Sequence, residues 1–286
     1  MIPPLTYVYC LVRGPQLPNV RNAPAALPGA RPVRVLPAGD KTWAIVSSVP
    51  AAQYDEPALA SGLQNLDWVG RRAMAHEAVV EHFLAEPAVL PMQLFTLFTS
   101  DERALEYVAR ERRRIDRILA RLQGQLEWGL RLTFDERAAR ESVEADHRAR
   151  RSRRVASESG ASYLARKRDL LDVTRVQLTA ARTAANRLYR GLSREATDAR
   201  RRRSTEQMAP GSRLLLDAAF LVPARRVDAF RRALRQQVKA VSGSGLVVSL
   251  TGPWPPYNFV DAPSGRRSRP RAATAKRRRS AAAGAR

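Results

Sequence analysis

The sequence predicts an α+β chain of two domains, residues 1–123 and 124–263, with a disordered basic tail over 264–286. Three observations lead there. Short β-branched and aromatic runs alternate with segments whose apolar residues recur at three-to-four spacing, so strands and helices are interleaved. The pattern pauses near Gly124 and restarts as strand, helix, strand, helix, strand, and 286 residues suit two domains. From Ser264 onward the chain is mostly Arg, Ala and Ser, with nine basic residues and no acidic one, a composition that cannot bury a core.

Residues 5–12 (LTYVYCLV) read as a buried strand. Pro15, Pro18, Pro24, Pro28 and Pro32 then interrupt any regular pattern. Residues 33–37 and 42–49 predict two strands around a turn at Ala38-Gly39-Asp40. Residues 56–85 read as a helix, with Leu59, Leu63, Leu66, Ala73, Val80 and Phe83 at helical spacing. Residues 89–98 (VLPMQLFTLF) read as a fourth strand, with Pro91 placing it at an edge or bulge. A capping box at Thr99-Ser100-Asp101-Glu102 opens a helix to about residue 123, with Leu105, Val108, Ile115, Leu119 and Leu122 on one face.

In the second half, residues 126–134 (LEWGLRLTF) predict a strand, and 135–159 an exposed or partly disordered helix carrying the basic run 148–154. Leu171, Thr174, Leu178, Ala181, Ala185, Leu188 and Leu192 then alternate steps of three and four, which is a heptad seam. Covering about three heptads, it suits an antiparallel helix pair inside the domain. Residues 200–211 read as a basic loop, 213–222 (RLLLDAAFLV) as a strand, and Pro223 as the start of a helix with Val227, Phe230, Leu234 and Val238 inward. Residues 242–245 (SGSG) are a turn and 246–251 (LVVSLT) the last strand. This set is close to a split βαβ pattern, one strand short of a ferredoxin-like unit.

The folded part closes on an unusual stretch, residues 250–260 (LTGPWPPYNFV). Three prolines and a glycine exclude a regular helix. Three aromatics make it unlike a linker, since each buries a large area when packed. It predicts a rigid clamp in which Gly252, Pro253, Trp254, Pro255, Pro256, Tyr257 and Phe259 have structural roles. Trp254 and Tyr257 are expected to pack against a domain surface.

The formal net charge is +23, and setting aside the nine basic residues of the tail leaves +14. Such an excess points to nucleic acid or another acidic surface. The arginine runs lack interleaved aromatics for base stacking, so the contact expected of the tail is nonspecific and salt-sensitive. One cysteine excludes a disulfide framework, no run is apolar enough to span a membrane, and no signal pattern opens the chain. These features suit a cytoplasmic protein. His76 and His82 are six residues apart, about 240° around a helix, which argues against a shared metal. Cys10 reads as a buried, inert thiol. No catalytic constellation assembles, and neither enzyme activity nor a cofactor is expected.

The closing stretch resembles the C-terminal signature of the gas vesicle protein F and gas vesicle protein L family. Further matches run in order: Tyr7-Val8-Tyr9, His76-Glu77-Ala78-Val79-Val80, Val89-Leu90-Pro91, Glu127-Trp128-Gly129, Tyr163-Leu164, and Ala219-Phe220-Leu221-Val222-Pro223 with Phe230. Phe95 stands where the family pattern has a glycine, and the tail is not part of the family core. The resemblance implies two α+β domains, the second a modified ferredoxin-like fold. It also implies a non-enzymatic accessory protein that associates with the small hydrophobic shell protein and other accessory proteins during gas vesicle formation. The competing reading is a nucleic-acid or acidic-surface binder acting through the tail.

Overall fold

In the computed structural model, which describes residues 3–151, 160–203, 208–239 and 245–260, the first sheet is organised around β1 (Leu5–Arg13). Its residues 6–12 are all buried. β3 (Thr42–Val49) and β4 (Ala88–Pro91) pair with it antiparallel on either side, and β2 (Arg34–Gly39) lies beyond β3. The short β5 (Leu97–Phe98) pairs with the start of β1. The β1–β3 register slips between Val8 and Cys10. This bulge turns Tyr7, Tyr9, Cys10 and Val12 into one apolar cluster and Val8 and Leu11 into another.

The helix predicted over 56–85 is broken. After a single turn, α1 (Ala51–Tyr54), the chain forms α2 (Glu56–Gly62) and α3 (Leu66–His82). Asp55 caps α2 by accepting from the Ala58 N–H, and Asn65 caps α3 by accepting from Trp68. Leu63 and Leu66 kept the helical spacing, yet both are exposed, so they share no buried face. The strand predicted over 89–98 is likewise two pieces, β4 and β5, because Phe95 turns the chain at φ +64°. Ser100 caps α4 (Asp101–Arg110) through the Arg103 N–H, and a break at Glu111 leads into α5 (Arg112–Leu122). Ala104, Val108, Ile115, Leu119 and Leu122 of these two helices are buried.

The second sheet contains β6 (Gln125–Asp135), β7 (Asp198–Arg201), β8 (Ser212–Pro223) and β9 (Leu246–Trp254), in the order β7-β8-β6-β9 with all neighbours antiparallel. The helices are α6 (Glu136–Arg151), α7 (Gly160–Ser193) and α8 (Val227–Lys239). β7 takes in the first two residues, Arg200 and Arg201, of the loop predicted over 200–211. Its sequence, Asp-Ala-Arg-Arg, has no strand propensity, and the edge of β8 imposes the conformation through ladder pairing.

Trp128, Leu130, Leu132, Phe220 and Val222 face Ala185, Leu188 and Leu192 of α7 and Phe230 and Leu234 of α8. The seam on α7 therefore packs largely on a sheet, with α6 and α8 alongside. The side chains of Leu171 and Thr174 lie outside the described residues, as do the tail (261–286) and most of the predicted 242–245 turn. One apolar cluster joins the two sheets: Val8, Leu11, Leu90, Ile115 and Leu119 meet Ala219, Leu221 and Phe259. An ion pair at 2.6 Å from Arg121 on α5 to Asp198 on β7 runs beside it.

Candidate functional site

The closing stretch begins as the end of β9. Gly252 lies opposite a register slip between Glu127 and Gly129. Its φ is +120°, and a Cβ there would stand 2.8 Å from the Glu127 carbonyl oxygen, so only glycine fits. The Gly252–Pro253 peptide is cis. After Trp254 the chain leaves the sheet, buries Pro255 and Pro256, and forms one 3-10 turn over Tyr257–Phe259. Glu127 tethers that turn, accepting from the Asn258 N–H at 3.0 Å and from its Nδ2 at 2.5 Å.

The predicted clamp residues divide. Phe259 is fully buried in the cluster that joins the sheets, with the Arg200 guanidinium 5.2 Å from its ring centre. Tyr257 is half-buried and reaches toward His76, ring centres 6.4 Å apart. Trp254 does not pack as expected: it is 38% exposed. It sits at the end of a sheet-edge strand, where strict alternation would place it on the covered face with Val248 and Leu250; the register slip opposite Gly252 breaks that alternation and leaves it open.

Four of the segments that carry the family resemblance converge here: Tyr7–Tyr9, His76–Glu77, Glu127–Gly129 and the closing turn. His76 is buried. Its Nδ1 is 2.7 Å from the Tyr7 hydroxyl. That hydroxyl also accepts from the Phe95 N–H. Burial holds the His76 pKa down to about 4, so the ring is neutral at pH 7. The Tyr9 ring stacks on His76 at 5.7 Å.

Burial raises the Glu77 carboxyl, with the facing Tyr257 hydroxyl opposing the rise. Burial also raises Glu127, against its two bonds from Asn258. The Tyr257 hydroxyl is pushed up by its own burial and by Glu77. Gly129 leaves room for Thr251 Oγ1 and the Arg202 guanidinium, which a Cβ would meet at 2.8 and 3.3 Å. Arg202 pairs with Asp217 at 2.6 Å. The interior polar groups thus link β1, α3, β6 and the closing turn. Sequence reasoning missed Glu127, Tyr7 and His76 as partners of the closing turn, although all three lie in segments it had singled out. Cys10 is buried as expected.

Among the described residues no cluster of His, Cys, Asp and Glu has the geometry to hold a metal, and no helix is long and apolar enough to cross a membrane. His82 lies apart from His76 and contacts the Asn19 carbonyl.

The gas vesicle synthesis protein GvpL/GvpF family model matches residues 5–261, which takes in both sheets and the whole closing turn. The chain belongs to this family. It is 32% identical over 258 residues to gas vesicle protein L of Streptomyces sp. (strain CB03234), covering 90% of this chain and 92% of that one. Against gas vesicle protein F of the same strain it is 28% identical over 264 residues, covering 90% and 99%. The crystal structure of GvpF from Anabaena sp. PCC7120 superposes with a TM-score of 0.62 at 13% identity, over 93% of this chain and all of that one. GvpF from Microcystis aeruginosa gives 0.55 at 15% identity, over 90% and 99%. The mixed fold with antiparallel sheets is therefore that of the GvpF structures, and membership of the GvpL/GvpF family ties the chain to gas vesicles.

Proposed function

We propose that this GvpL/GvpF chain is a non-enzymatic accessory protein of gas vesicle assembly, working in the cytoplasm and at the vesicle. It binds the small apolar shell protein, and other accessory proteins, before the wall closes. A shell subunit destined for a gas-filled wall exposes apolar surface until it is assembled, and a partner that covers this surface suppresses aggregation. In this reading the chain forms two domains meeting near Gly124. The second is a modified ferredoxin-like unit, a reading supported by its strand order and by β7 as its fourth strand.

The observation that carries the docking mode is the free edge of β9. The two candidate edges are β4, which carries Pro91, and β9. All four residues of β4 are buried, so that edge is covered. Among the described residues β9 pairs only with β6, and it alternates half-buried with exposed residues, with Val247 52% exposed. Its open backbone groups suit addition of a strand from a partner. The test is co-expression with the shell protein and pull-down at low and moderate salt, with Val247→Lys as the edge-blocking variant. Recovery of the complex by the wild type and its loss in a folded Val247→Lys variant is the expected result. No complex with both proteins folded rejects the shell-binding role; an unaffected Val247→Lys rejects the edge.

A further inference from the structure

A second surface is separate from the β9 edge. Between α2 and β5 runs an open groove of about 550 Å³, lined by Leu5, Leu59, Leu63, Phe95, Leu97 and Phe98. The left-handed backbone at Phe95 holds its ring there, 5.4 Å from the Trp68 ring. Leu63 is 53% exposed and, just past the turn, Leu66 is 86% exposed. Asp55 and the exposed Glu56 stand on the rim, and among the described residues no Lys, Arg or His lines the groove. In a chain of net charge +23 this is an apolar surface with an acidic edge. Charge complementarity selects an apolar helix bounded by arginines.

The chain carries such a helix face. On the outer side of α7, Val176, Thr179, Ala180, Thr183 and Ala184 form a continuous surface between Arg175 and Arg187. Val176 is 67% exposed. Thr179 and Thr183 donate their hydroxyls to the carbonyls four residues back, at 3.0 and 3.1 Å, so their hydrogen-bonding need is met within the helix. The face spans about 18 Å at 1.5 Å per residue. Its small side chains let a helix approach the large side chains of the groove closely.

We infer that a second copy of this chain occupies the groove: the outer face of α7 of one copy seats against Leu59, Leu63 and Phe98 of its neighbour, with an α7 arginine on Glu56. Groove and helix face are different surfaces, so the contact is head-to-tail and leaves one free surface of each kind on every pair.

The test is sedimentation of the full chain over a concentration series, with circular dichroism confirming that each variant is folded. Wild type shows concentration-dependent association. Leu63→Glu in the groove and Val176→Glu on the helix each weaken it at least about tenfold. Mixing the two variants restores a one-to-one complex, because each retains the half that the other lacks. Glu56→Arg weakens association, and combining it with Arg187→Glu or Arg175→Glu recovers it. A wild type that stays monomeric overturns the inference. So does association that survives both Leu63→Glu and Val176→Glu, or a mixture of the two that remains monomeric.

Discussion

Phe259→Ala separates a clamp from a mere terminus. The ring is fully buried in the cluster that includes Val8 and Leu11 of the first sheet, Leu119 of α5, and Ala219 and Leu221 of the second sheet. Removing a buried phenylalanine side chain costs about 3–5 kcal/mol, from lost transfer energy and from the cavity left behind. For a chain of this size that is a fall of roughly 6–20 °C in Tm, at about 2–4 °C per kcal/mol. The matched control is Trp254→Ala, five residues earlier in the same stretch with a partly exposed indole. Its expected cost is smaller, about 2–3 kcal/mol, since the exposed part of the indole contributes no burial energy and its removal leaves no closed cavity. The assay is urea and thermal unfolding of both variants, followed by far-UV circular dichroism. If Phe259→Ala stays within about 1 kcal/mol of wild type, or if Trp254→Ala is the more damaging, the closing turn does not hold the sheets together.

The remaining predictions concern the groups around that turn. Phe95→Gly should be more stable than Phe95→Ala by about 1 kcal/mol, because φ +64° strains any residue with a Cβ; chemical denaturation of the two variants measures the gap, and an equal or reversed order refutes the strain. His76 should titrate near 4 by NMR. Its folded pKa lies below the unfolded 6.5, so it contributes ~3 kcal/mol above pH 6.5 that is lost as pH falls toward 4. Glu77 and Glu127, both raised by burial, act in the opposite sense, costing stability as pH rises above 4.5. The His76 contribution is therefore read from the difference between the wild-type and His76→Phe pH curves, and a His76 midpoint above 6 contradicts its burial. Glu127→Ala, which removes both acceptors of Asn258, should cost about 2 kcal/mol, with Glu127→Gln milder because one carbonyl acceptor remains; an unchanged unfolding midpoint in Glu127→Ala removes the tether from the account.

Much of the architecture was legible in the chain. β1, β3, β6, β8 and α8 are strongly patterned, and their boundaries fall within a few residues of the expectation. The misses share a physical cause. Leu63 and Leu66 satisfy helical spacing, but Asn65 supplies a cap between them and the segment turns. Spacing records where apolar residues recur, while a cap decides whether the backbone continues. Glu111 divides α4 from α5 with no breaker residue to announce it. β7 has no signal because its conformation is imposed by the β8 edge rather than by its own side chains.

By itself the sequence determined the alternation of strands and helices, the closing stretch and the family, because these rest on local patterning and on residue identity in order. Only the tertiary structure decided what the closing stretch grips. Tyr7, His76, Glu127 and Phe259 are far apart along the chain, and no periodicity relates them. The bulge in β1 and the positive φ of Gly252 bring them together. Burial then sets their chemistry: it makes His76 a neutral hydrogen-bond partner and Glu127 a tether for Asn258. It also assigns the anchoring role to Phe259 and leaves Trp254 open, since the direction in which the pleat ends depends on register, which pairing fixes and composition does not.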